Sequence, residues 1–529
     1  MGLKQRIVER GKQTLLNPSV LRIITDDRVM KATEGLMDAR TRVRDAWKVL
    51  LNGNELPNID PALDENIGQT VPASTKSNGH GTNGATNGHA TNGHANGATN
   101  GAARHELADR DGSSDMAESM KERTSLATIG GKDVFEKAYK FMAADNARKM
   151  GIYPFFRPLD FADGPEAQIN GKRVVMFGSN NYLGLTTHPK VREAAKAAID
   201  KYGTSMTGSR LVNGSMRLHE EFEHKLAQWF NKEAALVFTT GYQVNIATCA
   251  ALLSNKQTTA FIDRNVHASL YDGVRLGQAN GTKLVRYRHN DAESLDKALE
   301  KLEADEGAFV ITDGVFSAEG EIAKLDEIVP IVKKHKARLF VDDAHALGVI
   351  GPGGMGTAAS FGLVDQVDLM GGTFSKSLAS IGGWLVGERK VLDYIRHFAP
   401  SFMFAAAAAP PCVAAAMAAF DVMHEESWRI DKLRENFTYM RDELRKMGFE
   451  LGHTQTAVIP IYIRQDLRTI MMWRDLLEEY GIYTNPFISP GVPPKSAMLR
   501  TSYMATHERA HLDRALEAFQ KVGKKYGVI

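Results

Sequence analysis

Cysteine is nearly absent. Only Cys249 and Cys412 occur among 529 residues, too few for a disulfide framework, and neither stands at a metal-ligand spacing. A reducing, cytoplasmic setting suits such a chain. Net charge is missing too: with 65 basic and 63 acidic residues, no global field draws the chain to nucleic acid. Long apolar runs are also lacking. The start Met1-Gly2-Leu3-Lys4-Gln5-Arg6 leads into charged sequence rather than a secretory signal. The uncharged stretch 402–420 is mostly alanine and is broken by Pro410-Pro411, which marks a turn and a packed core helix rather than a membrane span.

What is present is the composition of a soluble globular chain, 43% hydrophobic and 24% charged, long enough for two or three domains. Residues 1–70 read as a helical extension. Val29, Ala32, Leu36, Ala39, Val43, Ala46 and Leu50 recur at three- and four-residue steps, a heptad stripe with basic residues on the other faces. Residues 1–60 could thus meet a partner helix or the inner face of a membrane, or fold on themselves as a small hairpin. Residues 71–125 read as a linker, because 77–101 repeats Asn-Gly, His and Ala-Thr without a large apolar side chain. Its His80, His89 and His94 are read as repeat expansion, not as a metal site.

An arm at 126–188 follows, then a large domain at 189–420 and a small α+β domain at 421–529. In the large domain, strand candidates at 235–238, 259–263, 308–313, 338–342 and 369–372 alternate with helical stretches at 190–201, 216–230, 295–304 and 325–335. Such alternation predicts a largely parallel sheet covered by helices. The small domain has a strand at 457–463 and helices near 470–480 and 508–526.

The sharpest chemical signal is Gly371-Gly372-Thr373-Phe374-Ser375-Lys376-Ser377, preceded by an apolar run that ends in Val341-Asp342-Asp343-Ala344-His345. Thr373 offers a hydroxyl, Asp342 an acid at a strand end and Lys376 an amine. Phosphate, pyridinium nitrogen and aldehyde need those three groups, so the set points to pyridoxal 5'-phosphate. The small residues flanking Lys376 predict a pocket with little bulk between the amine and a bound ring.

These runs occur with Ser179-Asn180-Asn181-Tyr182-Leu183-Gly184-Leu185, Thr207-Gly208-Ser209-Arg210, Thr240-Gly241-Tyr242, His267-Ala268-Ser269, Asp313-Gly314-Val315-Phe316-Ser317 and Leu499-Arg500-Thr501-Ser502. In that order they resemble the α-oxoamine synthases, over about residue 130 to the end. The resemblance implies a fold-type I pyridoxal phosphate transferase, aspartate aminotransferase-like, acting as a homodimer. It implies that Lys376 binds the cofactor aldehyde and then removes the Cα proton, that Asp342 pairs with the ring nitrogen, and that His267 stacks on the ring. His345 and Ser317 would bond its phenolic oxygen. Gly241 and Tyr242 amides with Thr373 would hold the phosphate, Arg500 the substrate carboxylate, and Asn180 and Arg210 would line the substrate side. Ser375, where sister enzymes carry glycine, resembles the serine palmitoyltransferase branch, which joins L-serine to a long-chain acyl-CoA. An enzyme using glycine, alanine or another acyl thioester, and a non-catalytic scaffolding subunit, remain the alternatives.

Overall fold

In the computed structural model the described residues are 133–529. The extension at 1–70 with its heptad stripe, the linker at 71–125 and the first residues of the arm lie outside them.

Short helical turns at Glu136–Tyr139 and Ala143–Lys149 precede three antiparallel strands, β1 (Phe161–Asp163), β2 (Glu166–Ile169) and β3 (Lys172–Met176). Helix α1 (Pro189–Tyr202) opens with proline at its first position, where a missing N–H costs nothing. Then come α2 (Arg217–Trp229), β4 (Ala234–Phe238), α3 (Gly241–Leu252), β5 (Thr258–Asp263), α4 (Ala268–Gln278), β6 (Lys283–Tyr287), α5 (Ala292–Leu299), β7 (Gly307–Asp313), α6 (Leu325–Lys334), β8 (Arg338–Asp342), β9 (Leu369–Thr373) and β10 (Gly383–Gly387).

Seven of these strands form one sheet in the order β4-β10-β9-β8-β7-β5-β6. All neighbours run parallel except β10, which is antiparallel to both β4 and β9. The strands are continuous apolar runs because the sheet lies in the core: Leu236, Val310, Ile311, Leu339, Phe340, Val341, Met370 and Trp384 are fully buried. Helix α5 starts at Ala292, earlier than periodicity places it, because Asp291 caps it by accepting from Ser294 N at 2.7 Å.

Helices α7 (Arg389–Phe398) and α8 (Pro410–Glu425) complete this part, and the alanine-rich α8 packs closely on α1. Its Pro410-Pro411 opens the helix rather than breaking it. Beyond α9 (Trp428–Lys446) come β11 (Val458–Tyr462), α10 (Asp466–Glu478), β12 (Ile482–Tyr483), β13 (Asn485–Phe487), β14 (Met498–Ser502) and α11 (Arg509–Lys525). Strands β11, β14 and β13 form a small antiparallel sheet, while β12 pairs in parallel with β3. The described part of the arm therefore shares a sheet with the carboxy-terminal elements. Among the described residues no helix is long and apolar enough to cross a membrane.

Candidate active site

The parallel strands β7, β8 and β9 bring Asp313, Asp342 and Gly371 side by side at their carboxyl ends, since Asp313 pairs with Asp342 and Asp342 with Gly371 in register. Open α/β sheets bind ligands at such ends. Asp342 is buried; its Oδ1 accepts from Ala344 N at 3.0 Å and its Oδ2 from Asn245 Nδ2 at 2.6 Å. Asn245 sits on α3, and its other amide hydrogen goes to Ser269 Oγ at 2.8 Å. Ser269 Oγ lies 2.7 Å from His267 Nδ1, which also accepts from Ser269 N at 3.3 Å. The polarity of the chain follows: Asp342 orients Asn245, Asn245 orients the Ser269 hydroxyl, and His267 Nδ1 is the acceptor, leaving its proton on Nε2. Burial holds the His267 imidazole below its usual pKa despite the nearby Asp342 charge.

Lys376 follows β9 and is partly exposed at its surface. Burial of most of its length pushes the amine down to about 8, against the upward pull of Asp342 and Asp313 and with the Arg500 cation adding to the fall. Burial, with the Lys376 and Arg500 charges, holds His345 well below the usual imidazole range, so it is neutral; its Nδ1 lies 2.7 Å from Tyr182 Oη. Burial, reinforced by the Asp342 charge, keeps Asp313 well above the usual carboxyl range, and Asp313 accepts from His267 N at 3.2 and 3.3 Å.

Arg500 comes from β14 of the small sheet and is 3% exposed. Its Nε donates to the Ser317 carbonyl at 2.6 Å, and both Nη atoms donate to Asn180 Oδ1 at 3.1 Å. Lys376, Asp342, His345, Arg500, Asn180 and Ser317 are thus brought together. Ser317 enters through its carbonyl.

Helix α3 begins beside β9. Thr240 caps it, accepting from Gln243 N at 3.1 Å, and the amides of Gly241 and Tyr242 have no partner within the helix. A Cβ at Gly241 would lie 2.6 Å from Thr373 Cβ, so glycine alone permits the helix start to meet the end of β9. The Thr373 hydroxyl donates to Gly382 O at 3.0 Å and lies 2.8 Å from Ser375 Oγ. Tyr242 is exposed; its hydroxyl bonds Asp272, and its ring stands edge-on to His267 with centroids 6.0 Å apart.

Two expectations change. Arg210 is committed elsewhere: its guanidinium forms a two-pronged ion pair with Glu223 at 2.8 and 3.3 Å and bonds the Val237 carbonyl, tying α2 to β4. The glycines read as making room for a ring are strand packing. A Cβ at Gly371 would press on Phe340 and Val244 at 3.1 Å, and one at Gly372 on the Trp384 indole at 2.9 Å. Sequence reasoning missed Asn245 as the residue that orients Asp342, and gave Tyr182 no role beyond its motif.

The donor set fits pyridoxal phosphate. A carboxylate is held at a strand end where a protonated ring nitrogen would sit, an amine with a lowered pKa stands near it, and two unpaired amides at a helix start, beside Thr373, would take a phosphate. On a mostly parallel sheet joined to a small carboxy-terminal sheet, this is a fold-type I pyridoxal phosphate enzyme. The sequence pattern of the family described as aminotransferase class I and II matches residues 172–519. A serine palmitoyltransferase of Sphingobacterium spiritivorum is 42% identical over 390 residues, 74% of this chain and 96% of that protein. An 8-amino-7-oxononanoate synthase of Thermoanaerobacter pseudethanolicus is 37% identical over 386 residues, 73% of this chain and 96% of that protein. A solved serine palmitoyltransferase with its pyridoxal phosphate internal aldimine superposes with a TM-score of 0.72 at 34% identity, covering 75% of this chain and all of the other. The chain belongs to the aminotransferase class I and II family, in its α-oxoamine synthase group.

Proposed function

We propose that the protein condenses L-serine with a long-chain acyl-CoA such as palmitoyl-CoA, releasing CoA and carbon dioxide and giving a 3-keto sphingoid base, as a homodimer. The observation that carries this reading is Arg500, buried and held by Ser317 and Asn180 within the electrostatic reach of Lys376 and His345. A guanidinium so fixed grips a carboxylate by two prongs, which a lysine does not reproduce. Bound pyridoxal phosphate supplies an electron sink for the carbanion formed at the amino acid's Cα.

The chain's own residues do the rest. Arg500 orients the carboxylate so that the bond to be broken stands perpendicular to the conjugated plane. Lys376, neutral in part near pH 7 because its pKa is about 8, takes the Cα proton. Asp342 would hold the proton on the ring nitrogen, and His267 would cover one face. The new carbon–carbon bond forms as the thioester carbon–sulfur bond breaks, and the carbon–carboxylate bond breaks next, with a proton returned to Cα. His345 and Ser317 are assigned to the phenolic oxygen, and Gly241, Tyr242 and Thr373 to the phosphate.

Likeness to a serine palmitoyltransferase at 42% identity and Ser375 before the lysine support serine as the amino acid. The 37% identical 8-amino-7-oxononanoate synthase supports a second reading, with alanine and another acyl thioester. Titration of the holoenzyme with L-serine, glycine, L-alanine and L-threonine separates them. A saturable absorbance change with serine at the lowest concentration is expected, and a preference for alanine would move the enzyme to the other branch.

Turnover at saturating substrates is expected to rise through about pH 8, as Lys376 loses its proton, and to level off above it. A rate that stays flat between about pH 6 and about pH 10 would remove Lys376 as the base.

A further inference from the structure

Behind Arg500 lies a half-buried ionic cluster, with no part in the reading above. His289 follows β6, and its Nδ1 donates to Asp263 Oδ1 at 3.1 Å while its Nε2 faces Glu321 Oε2 at 3.6 Å. Burial opposes the imidazolium, but Asp263 and Glu321 overcome it and lift the pKa to about 10. Asp263, fully buried at the end of β5, also accepts from Asn265 N at 2.8 Å and Asn290 N at 2.6 Å. The side chains of those two residues reach on: Asn265 Nδ2 donates to Glu319 at 3.0 Å and Asn290 Nδ2 to the Ile322 carbonyl at 3.0 Å. The Phe316 ring stands edge-on to His289 with centroids 4.3 Å apart.

Three of these contacts, at Phe316, Glu319 and Glu321, reach one turn, the loop after β7 closed by Phe316 N donating to Glu321 O at 2.9 Å, and a fourth holds Ile322 just beyond it. The far side is fixed as well. Gly320 O accepts from Gln455 N at 3.1 Å and Thr456 Oγ1 at 3.0 Å, just before β11. Gly320 has φ +68°, and a Cβ there would fall 2.0 Å from Val458 O, so the turn meets that segment without room for a side chain. What the clamped turn presents is the Ser317 carbonyl, 2.6 Å from Arg500 Nε.

We propose that His289 is a positioning residue for the substrate carboxylate, acting through the 316–321 turn, whose Ser317 carbonyl sets the plane of the Arg500 guanidinium. The proposal rests on the reading of Arg500 as the carboxylate ligand. An imidazolium between two carboxylates suits the task, since it ties Glu321 of the turn to Asp263 at the end of β5, and two-pronged binding tolerates little displacement.

The test is a double-mutant cycle on the holoenzyme, with His289→Gln and Arg500→Lys alone and together, reading the dissociation constant for L-serine by absorbance titration. His289→Gln is expected to raise that constant about ten-fold while the KM for acyl-CoA and cofactor absorbance stay unchanged. In the Arg500→Lys background it should add no further loss. A role confined to stability would instead lower the thermal midpoint and leave serine binding of the folded enzyme unmoved, which would overturn the proposal. So would an equal loss in both backgrounds. If Arg500→Lys itself leaves serine binding intact, the reading of Arg500 fails and this inference falls with it. Glu321→Gln, at the partly exposed edge of the cluster, serves if His289→Gln does not fold: a smaller serine-selective loss, absent in the Arg500→Lys background, is expected, and no loss overturns the proposal.

Discussion

Replacing Lys376 by alanine is expected to lower turnover by more than about 10⁴-fold and to remove the absorbance of the cofactor's aldimine with that lysine. In the proposed mechanism two tasks fall on the one amine, holding the cofactor aldehyde and moving the Cα proton, so no neighbour covers the loss. The fold should survive. The folded-state pKa of Lys376 is depressed from 10.5 to about 8. Between those values the unfolded chain binds a proton that the folded chain refuses, so the native state carries a penalty that is complete below about pH 8 and vanishes as pH rises past 10.5. Alanine removes the penalty. The cofactor-free variant should therefore melt no lower than the cofactor-free parent at neutral pH, and any advantage should shrink in alkali. Retained turnover, measured as CoA release with L-serine and palmitoyl-CoA, would sink the assignment. A collapsed thermal transition would leave loss of activity without catalytic meaning.

The site was readable where its chemistry sits in contiguous runs at strand ends. Asp342 closes an apolar strand and Lys376 follows another, so hydropathy alone puts them at one edge of a sheet. Asn245 was not readable. It lies inside α3 in Gln243-Val244-Asn245-Ile246, where a polar residue looks like any helical position, and only the crossing of α3 over the end of β8 joins it to an acid 97 residues away. Arg210 misled for a related reason. Its motif says nothing of Glu223 thirteen residues later, whose carboxylate claims the guanidinium once α2 folds against β4. Strand β6 went unseen because at the sheet edge Lys283 and Arg286 interrupt its apolar run, and β10 because its three apolar residues stand between Gly383 and Gly387. The pairing of β12 with β3 depends on chain ends some three hundred residues apart, which no local pattern encodes.

Asp342→Asn is expected to cost on the order of 10³-fold in kcat/KM, close to 4 kcal/mol of transition-state stabilisation. The substitution keeps the shape and removes the charge that in the proposed mechanism would hold the ring nitrogen's proton. It also creates a polarity fault. Both groups facing the carboxylate, Ala344 N and Asn245 Nδ2, are donors, so an amide must turn its own NH₂ toward one of them. Asn245 cannot simply flip, because its other hydrogen satisfies Ser269, whose hydroxyl is spent on His267 Nδ1. One unsatisfied buried donor costs about 1–3 kcal/mol. A domain holding 5–15 kcal/mol stays folded after that loss. Destabilisation and rate loss are thereby separable: a modest fall in thermal midpoint beside a 10³-fold fall in kcat/KM places the effect on the ring nitrogen. A variant within about ten-fold of the parent would show that the acid is structural, and that the polarity of the Asp342, Asn245, Ser269 and His267 chain, rather than its charge, is what the site requires.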